Sequence, residues 1–309
     1  MGQQHRASTA GRILTAAAVG TLAWATLIER NLFTVRNFTV PLLPASARPM
    51  RVLQISDTHL SPRQERKIQW LRSLAQLRPD AVVMTGDLMG DIHARGALVR
   101  ALTPLAELNV PMFFVHGSND YYGPILKNPI KYLQSPTRKA TRRPDIDNQA
   151  LTSALEELGA INLNNSAATA TIAGSETVWF GLNDPHIGYD DADAMESALS
   201  NLDVPEGATR FGVVHAPYQE SLDTLLNNGA EHMFAGHTHG GQLCVPGVGA
   251  LTTNCDLPND QASGLSVWYN AERSASLNVS AGLGTSKYAP ARFFCRPEAP
   301  LVLFEAAKS

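Results

Sequence analysis

The feature that most constrains the fold is an alternation of short apolar runs with helical patterns in the first half of the chain. Two segments, residues 64–77 and 98–108, carry leucine, isoleucine or valine at helical spacing. They separate three uninterrupted apolar runs, at residues 52–55, 81–84 and 112–115. Short apolar runs between amphipathic helices are typical of parallel strands that are buried on both faces. The pattern therefore predicts an α/β fold.

The second half of the chain continues this pattern with strands of both directions. Helical patterns cover residues 151–158 and 192–202. Further strand patterns occupy residues 169–172, 178–181, 211–214, 232–235, 243–245, 277–279 and 301–304. The first two of these strands are predicted to be antiparallel. Two sheets packed face to face, with helices outside, accommodate all these elements in one domain at residues 51–309.

Composition excludes several classes of function. The chain has 309 residues, of which 44% are hydrophobic, and can bury a large core. A net charge of -3 gives no basic field that would attract nucleic acid, so we expect no nucleic-acid partner. Three cysteines without a CxxC pair argue against a disulfide framework or a structural zinc site. Buried thiols are expected, and a Cys255–Cys295 bridge is the alternative outside the cytosol.

The N-terminal segment, residues 1–30, contains an uncharged and mostly apolar stretch at residues 13–28. Sixteen residues fall just short of the usual membrane-spanning length. Three interpretations remain open: a single uncleaved anchor in the cell membrane, a secretory signal cleaved near Ala23-Trp24-Ala25, or a short soluble helix. Arginine on both sides leaves the orientation open. Residues 31–50 are predicted to be a linker to the domain.

Acidic and histidine residues follow the predicted strands where each strand ends. Asp57 and His59 follow the first strand, Asp87 the second and His215 a later one. The segment 236–242, with sequence GHTHGGQ, adds His237 and His239. The carboxyl ends of strands in α/β sheets are where such folds place their sites. Carboxylates and imidazoles with little sulfur suit Mn²⁺, Fe or Zn²⁺, so these residues predict a metal site.

The order of these motifs resembles the calcineurin-like metallophosphoesterase family. The motifs here read Asp57-Thr58-His59, Gly86-Asp87, Gly117-Ser118-Asn119-Asp120, His215 and Gly236-His237-Thr238-His239. Two further segments, residues 28–31 and 282–285, resemble a bacterial, membrane-associated branch of that family. The resemblance implies a four-layer α/β/β/α sandwich of two mixed sheets flanked by helices.

The same resemblance implies a dinuclear site and a hydrolytic reaction. Asp57, His59 and His239 would hold the first divalent ion, His215 and His237 the second, and Asp87 would bridge them. A bridging hydroxide would then attack a phosphate ester in line with its leaving group. No protein nucleophile is required.

The third motif departs from the family pattern, which is Gly-Asn-His-Asp. Ser118 stands at the position of the metal-binding asparagine, and Asn119 stands at that of the histidine that contacts the leaving group. Serine is a poor ligand, so either Ser118 or Asn119 completes the second metal site. General acid catalysis contributes roughly 10²–10⁴-fold, and its usual donor is missing here. His116 and His186 are the candidate replacements.

Other positions near the third motif complete the predicted site. Asp120 is expected to orient the metal-binding groups from behind. The segment 127–143 is rich in Lys and Arg and has no acid. It is interpreted either as a solvated loop or as a basic surface for an anionic substrate or a lipid head group, with Lys127 and Lys131 as substrate contacts. Tyr122 either lines the pocket or packs at the base of this loop.

The sequence therefore predicts a monomeric, membrane-associated phosphoesterase. Phosphodiester or pyrophosphate substrates are favoured over monoesters, because the usual acid is missing and the loop is basic. If residues 13–28 form an anchor, the substrate is expected to belong to the membrane or cell envelope. The alternatives are a phosphomonoesterase, and a member of the family that binds metal and phospholipid without turnover.

Overall fold

Two six-stranded mixed sheets pack face to face in the computed structural model, which describes residues 2–124, 143–285 and 288–307. The first sheet has the order β1-β14-β2-β3-β4-β5. Its strands are β1 (Thr34–Leu43), β2 (Met50–Ile55), β3 (Ala81–Thr85), β4 (Met112–Val115), β5 (Ala160–Asn162) and β14 (Glu298–Ala306). Strands β2 to β5 are parallel, β14 is antiparallel to β2, and β1 is parallel to β14.

The second sheet has the order β12-β13-β9-β8-β7-β6. Its strands are β6 (Ser166–Ile172), β7 (Ser175–Gly181), β8 (Thr209–Val213), β9 (His232–Ala235), β12 (Gly264–Tyr269) and β13 (Ser274–Val279). The inner strands β7, β8, β9 and β13 are parallel, and each edge strand is antiparallel to its neighbour. A separate small hairpin consists of β10 (Cys244–Val245) and β11 (Gly249–Ala250).

Helices cover the outer face of each sheet. The first sheet packs against α2 (Glu65–Ser73), α3 (Arg95–Ala106) and α4 (Asn148–Glu157), and the second against α5 (Ala192–Ser200) and α6 (Gln219–Asn227). Side-chain caps fix two helix starts, since Asp147 accepts from Ala150 N–H and Asp191 from Ala194 N–H. The predicted four-layer α/β/β/α arrangement of two mixed sheets is confirmed.

The core between the two sheets is aromatic. Trp179 on β7 stacks on Phe113 of β4 at 4.2 Å and on Phe211 of β8 at 4.4 Å between ring centroids. All three side chains are fully buried. Planar rings stacked across the two inner faces fill the space between sheets with few gaps, which fixes the distance between them.

The N-terminal residues form helix α1 (Gly2–Ala23), which continues into a short π-helical segment, Trp24–Ile28. Within the described ranges, no helix combines the length and the apolar character needed to cross a membrane.

Several predicted element boundaries need correction. The predicted linker at residues 31–50 contains β1, which pairs with β14 over nine positions of register and so belongs to the sheet. The helix expected at residues 64–77 ends at Ser73 and continues as a 3₁₀ turn, Leu74–Leu77. Strands β5 and β12 and helix α6 were not predicted, and the strand at residues 243–245 lies outside both sheets.

The cysteine interpretation is confirmed in part. All three cysteines are free, and Cys295 is buried. The thiols of Cys244 and Cys295 both lie against the carbonyl oxygen of Gly240, at 3.1 and 3.5 Å. The alternative Cys255–Cys295 bridge is therefore wrong for this structure, which places Cys244 beside Cys295 instead.

The stack of aromatic rings predicts a large effect of Trp179→Ala on stability. Removing a fully buried indole leaves a cavity between the sheets and should lower the free energy of unfolding by about 3–5 kcal/mol. Urea denaturation followed by circular dichroism measures this change. Tyr269→Ala is the matched control, because Tyr269 is 73% exposed at the edge of the second sheet. A loss below about 1 kcal/mol for Trp179→Ala would contradict this account of the core.

Candidate metal centre

The predicted ligands lie at the carboxyl ends of strands from both sheets. Asp57 and His59 follow β2, Asp87 follows β3, His215 follows β8, and His237 and His239 follow β9. All of these side chains except that of His239 are buried. Five of the six residues have positive φ values, between 37° and 69°. Non-glycine residues rarely adopt this conformation, and such positions concentrate at functional sites.

One group of ligand atoms comes from Asp57, His59 and His239, which lie within 4.8 Å of one another. The two imidazole Nε2 atoms are 3.1 Å apart, and their rings stack. His239 Nε2 lies 3.6 Å from Asp57 Oδ1. Three donor atoms that converge in this way suit one divalent ion.

A second group of ligand atoms comes from Asp57, Asp87 and His215. Asp87 connects the two groups, because its Oδ2 lies 3.5 Å from His59 Nε2 and its Oδ1 lies 3.5 Å from His215 Nε2. The structure thus places the Asp87 carboxylate between two sets of imidazoles, as a bridging ligand requires.

His237 borders the second group without joining it. Its ring centroid is 5.2 Å from that of His215, and its Nε2 lies 3.2 Å from the carbonyl oxygen of Asn254. Its backbone N–H donates to both carboxylate oxygens of Asp57, at 3.2 and 3.0 Å. The backbone of His237 therefore holds Asp57, while its side chain lies beside the site of a second ion.

Burial and neighbouring charges set the protonation of the site. Burial alone would lower the pKa of His215, but the carboxylates of Asp87, Asp184 and Asp57 outweigh burial and raise this pKa to about 9. Burial lowers the pKa of His59 to about 4 and also lowers that of His239. Both of these histidines are therefore neutral at pH 7, as metal ligands must be, whereas His215 would release its proton on binding an ion.

The buried Nε2 of His215 has no hydrogen-bond partner among the described residues, although Nδ1–H donates to the carbonyl oxygen of Thr85 at 2.7 Å. A buried nitrogen without a partner, aimed at a carboxylate, fits coordination to a cation. The donor set as a whole therefore fits a pair of divalent ions.

The third motif reaches the site through Asn119. Its backbone N–H donates to Asp87 Oδ1 at 2.7 Å, and its side-chain amide donates to Asp87 Oδ2 at 2.6 Å. The only hydrogen bond of the Ser118 hydroxyl among the described residues is a weak one from Asn119, at 3.5 Å. The structure therefore brings Asn119 to the Asp87 carboxylate.

Asp120 joins two of the loops that carry site residues. Its Oδ1 accepts from the backbone N–H groups of Leu88 and Met89, at 2.9 and 3.0 Å, and its Oδ2 accepts from that of Gly117 at 3.0 Å. One buried carboxylate thereby ties the loop after β3 to the loop after β4. This geometry agrees with the orienting role expected for Asp120.

Two predicted site residues lie elsewhere. The Nε2 of His116 lies 2.8 Å from the hydroxyl of Thr152 on α4, and its Nδ1 lies 3.8 Å from Asp120 Oδ2. Tyr122 is buried, and its hydroxyl lies 2.6 Å from that of Tyr189. These contacts argue against His116 as the acid and against Tyr122 as a substrate contact, and both assignments stay predictions. Lys127 and Lys131 lie outside the described residues.

His186 lies at the edge of the second group. Its ring centroid is 4.6 Å from that of His237, and its Nδ1 lies 3.0 Å from the hydroxyl of Tyr218. The neighbouring Asp184 is fully buried, and its Oδ1 accepts from His186 N–H at 2.9 Å. Burial raises the pKa of Asp184 to about 7. Of the candidate acids, the structure thus brings His186 to the ligands and not His116.

Two buried basic side chains next to the ligands were not predicted. Arg292 is fully buried, donates to the carbonyl oxygens of Ala281 and Gly284 at 2.6 and 2.7 Å, and lies 3.4 Å from His239 Nδ1. Lys67 donates to the carbonyl oxygen of Thr58 at 2.7 Å. Sequence gave no signal for either residue, because isolated Lys and Arg are usually exposed.

The fold and the paired ligand groups define a metal-dependent phosphoester hydrolase, and comparison with known proteins specifies the family. The calcineurin-like phosphoesterase family matches residues 50–241. The chain belongs to this family.

Named relatives share modest identity with the chain. It is 26% identical over 323 residues to UDP-2,3-diacylglucosamine pyrophosphatase LpxG of Chlamydia trachomatis, with 92% of each chain covered. It is 27% identical over 217 residues to the transmembrane protein with metallophosphoesterase domain of Danio rerio, covering 66% of this chain and 43% of the relative. The solved phosphopantetheinyl hydrolase of Mycobacterium tuberculosis is 12% identical, with a TM-score of 0.43, and 82% of this chain and 96% of that chain are covered.

The close packing of glycine against the ligands predicts loss of metal in Gly117→Ala. A Cβ at this position would collide with the carboxylate of Asp87 and lie 2.7 Å from the ring of His215. Wild type should retain about two divalent ions per chain after dialysis, and the variant fewer than one, as measured by mass spectrometry of the metals. Gly96→Ala is the control, because a Cβ there meets nothing within 4 Å. Full metal content in a folded Gly117→Ala protein would contradict the proposed geometry.

Proposed function

We propose that the chain hydrolyses phosphodiester or pyrophosphate bonds with two divalent ions, chosen from Mn²⁺, Fe and Zn²⁺. The position of Asp87 is the observation that carries the proposal. One carboxylate within 3.5 Å of imidazoles on both sides can serve two ions at once. Such a pair of ions would polarise a phosphoryl oxygen and supply an activated water at neutral pH.

The roles of the individual residues follow from their places around Asp87. Asp57, His59 and His239 hold the first ion, and His215, His237 and Asn119 complete the second ion's site with Asp87. To serve as a ligand, Asn119 has to turn its side-chain amide so that the oxygen, rather than the nitrogen, faces the ion. Asp120 and the backbone of His237 keep the carboxylates in place.

The composition of the third motif favours substrates with good leaving groups. An amide at position 119 cannot donate an acidic proton, and the imidazole of His116 is held on α4. His186 is the remaining candidate to protonate the leaving group. Pyrophosphate bonds expel a phosphate, which needs less protonation than an alkoxide. The relative LpxG is named for the cleavage of a pyrophosphate, which supports the same preference here.

The exposed apolar side chains of the N-terminal helix favour a substrate that is associated with the membrane. All described side chains between Arg12 and Leu22 are exposed, and they are mostly apolar. Two relatives, from Danio rerio and Bos taurus, are named as transmembrane proteins. We propose that a monomeric chain associates with the cell membrane through this helix and acts on phosphate esters of the membrane or cell envelope.

The Asp87 assignment predicts a complete loss of hydrolysis in Asp87→Asn. Wild type with Mn²⁺ should cleave bis(p-nitrophenyl) phosphate faster than p-nitrophenyl phosphate, and a chelator should abolish both reactions. Asp87→Asn should lower kcat for the diester at least about 10³-fold, because an amide bridges two cations poorly. Asp203→Asn, at an exposed carboxylate after α5, is the control.

Faster cleavage of the monoester would support the alternative of a phosphomonoesterase. No hydrolysis by fully metal-loaded wild type would support a binding role without turnover.

The third motif predicts a change of substrate preference in the double variant S118N/N119H. This change restores the usual Gly-Asn-His-Asp order and places an imidazole where the leaving group departs. The kcat for the monoester should rise about tenfold or more, and the kcat for the activated diester should change less. A steady-state comparison of both substrates measures the ratio, with Ser118→Asn alone as the control. An unchanged ratio would show that the third motif does not set the preference.

A further inference from the structure

Exposed apolar side chains concentrate around one loop of the protein. Most of the large apolar side chains that are exposed in the described part of the chain lie in three segments, residues 14–28, 243–251 and 288–294. Leu27 is 67% exposed, Val248 74% and Phe294 61%. We call these three segments the apolar surface. Patches of this kind mark sites that another molecule or a membrane covers.

Backbone hydrogen bonds show that the three segments are neighbours. On one side, Arg292 N–H donates to Ala25 O at 3.0 Å, and Cys295 N–H donates to Glu29 Oε1 at 2.7 Å. On the other side, Cys244 N–H donates to Phe293 O at 2.9 Å. The loop 292–295 therefore lies between the N-terminal segment and the hairpin, and the apolar surface is continuous.

Ala250 of the hairpin packs against Gly241, but contacts with the described residues do not explain the apolar side chains at the hairpin's tip. Strands β10 and β11 pair through two residues each and join neither sheet. Residues 243–253 contain no charged side chain. Val245 and Val248 nevertheless point away from the core and stay exposed. Exposing several valines and leucines on a short hairpin is unfavourable in water, unless another apolar phase receives them.

The character of α1 indicates that this phase is lipid. Leu14, Val19 and Leu22 are all exposed, and only alanine, glycine and threonine stand between them, so no charged side chain lies on any side of the helix from Leu14 to Leu22. A helix without a polar face is buried either inside a large protein or in a membrane, and no described part of this chain covers residues 14–22. Trp24, where the helix meets the domain, donates to Glu29 at 2.7 Å, an arrangement suited to the boundary between lipid and water.

We propose that hairpin 243–251 and Phe294 enter the surface of a lipid bilayer together with the N-terminal segment. The hairpin begins four residues after His239, so this docking holds the metal centre at the level of the lipid headgroups. The substrate is then a phosphate or pyrophosphate ester of a lipid that stays in the bilayer. This last step rests on the proposed function, whereas the docking itself does not.

Vesicle sedimentation of the full chain tests the role of the hairpin. The probes are sucrose-loaded vesicles of phosphatidylcholine, with and without phosphatidylglycerol. The variant V245D/V248D should lower the partition coefficient at least about tenfold relative to wild type, because a hairpin with two aspartates stays in water and leaves only α1 and Phe294 to bind lipid. The control V267D alters a residue that is also exposed, but on the edge strand β12, and should bind as wild type does.

Hydrogen exchange on unaltered protein gives a second measurement that does not depend on the folding of a variant. Vesicles should slow the exchange of amides in residues 243–251 and 292–295 and leave residues 264–269 unchanged. Wild-type sedimentation of V245D/V248D, or equal exchange of residues 243–251 with and without vesicles, would overturn the proposal. Self-association without vesicle binding would also overturn it and assign the surface to a second copy of the chain. Hydrolysis of a water-soluble diester is measured separately, so none of these results would refute the phosphoesterase.

Discussion

The carboxylate of Asp87, buried between two imidazoles, is the interaction on which the site depends. His59 approaches it from one side and His215 from the other, and Asn119 donates two hydrogen bonds to it. Burial would raise the pKa of this carboxyl, yet His215 and His59 hold the pKa well below its ordinary value. A buried negative charge persists only where cations or donors surround it. The surrounding loops come from both sheets, so both halves of the fold are needed to stabilise one charge.

A buried polar network keeps the two halves in register at this edge. Gln54 of β2 donates to the carbonyl oxygen of Ala235 on β9 at 2.8 Å and accepts from Asn278 of β13 at 2.6 Å. Thr85 of β3 donates to Ser56 at 2.7 Å, and Ser56 donates to Asp57. Apolar contacts between sheets tolerate small shifts, whereas hydrogen bonds specify direction and distance. The network thus supplies the precision that metal ligands from different sheets require.

The sequence could indicate that the candidate ligands meet at one sheet edge, because each directly follows an apolar run whose strand character is clear. Position along the chain then determines position at the sheet edge. Prediction from the sequence failed where burial depends on residues that are distant in the chain. Strand β1 is recognisable only through β14, which lies at the other end of the chain. The sequence offered Tyr122 as a residue that could line the pocket, but in the structure its hydroxyl lies against that of Tyr189. Arg292 carries a charge that is normally exposed, and only the carbonyl oxygens around it make its burial possible.

The backbone of the ligand residues adopts conformations that lower stability but place the ligand side chains at the site. Asp57, His59, Asp87, His237 and His239 all have positive φ, which costs about 1 kcal/mol or more for each residue. Glycine would remove this strain, but these positions need a carboxylate or an imidazole. Neighbouring positions that need no functional side chain are occupied by glycine, which avoids further strain. Gly86 and Gly282 adopt positive φ without strain, and a Cβ at Gly282 would lie 2.5 Å from Asp57 Cβ. Glycines therefore stand where the backbone must pass close to a ligand, and the strained conformations remain only where the chemistry requires a side chain.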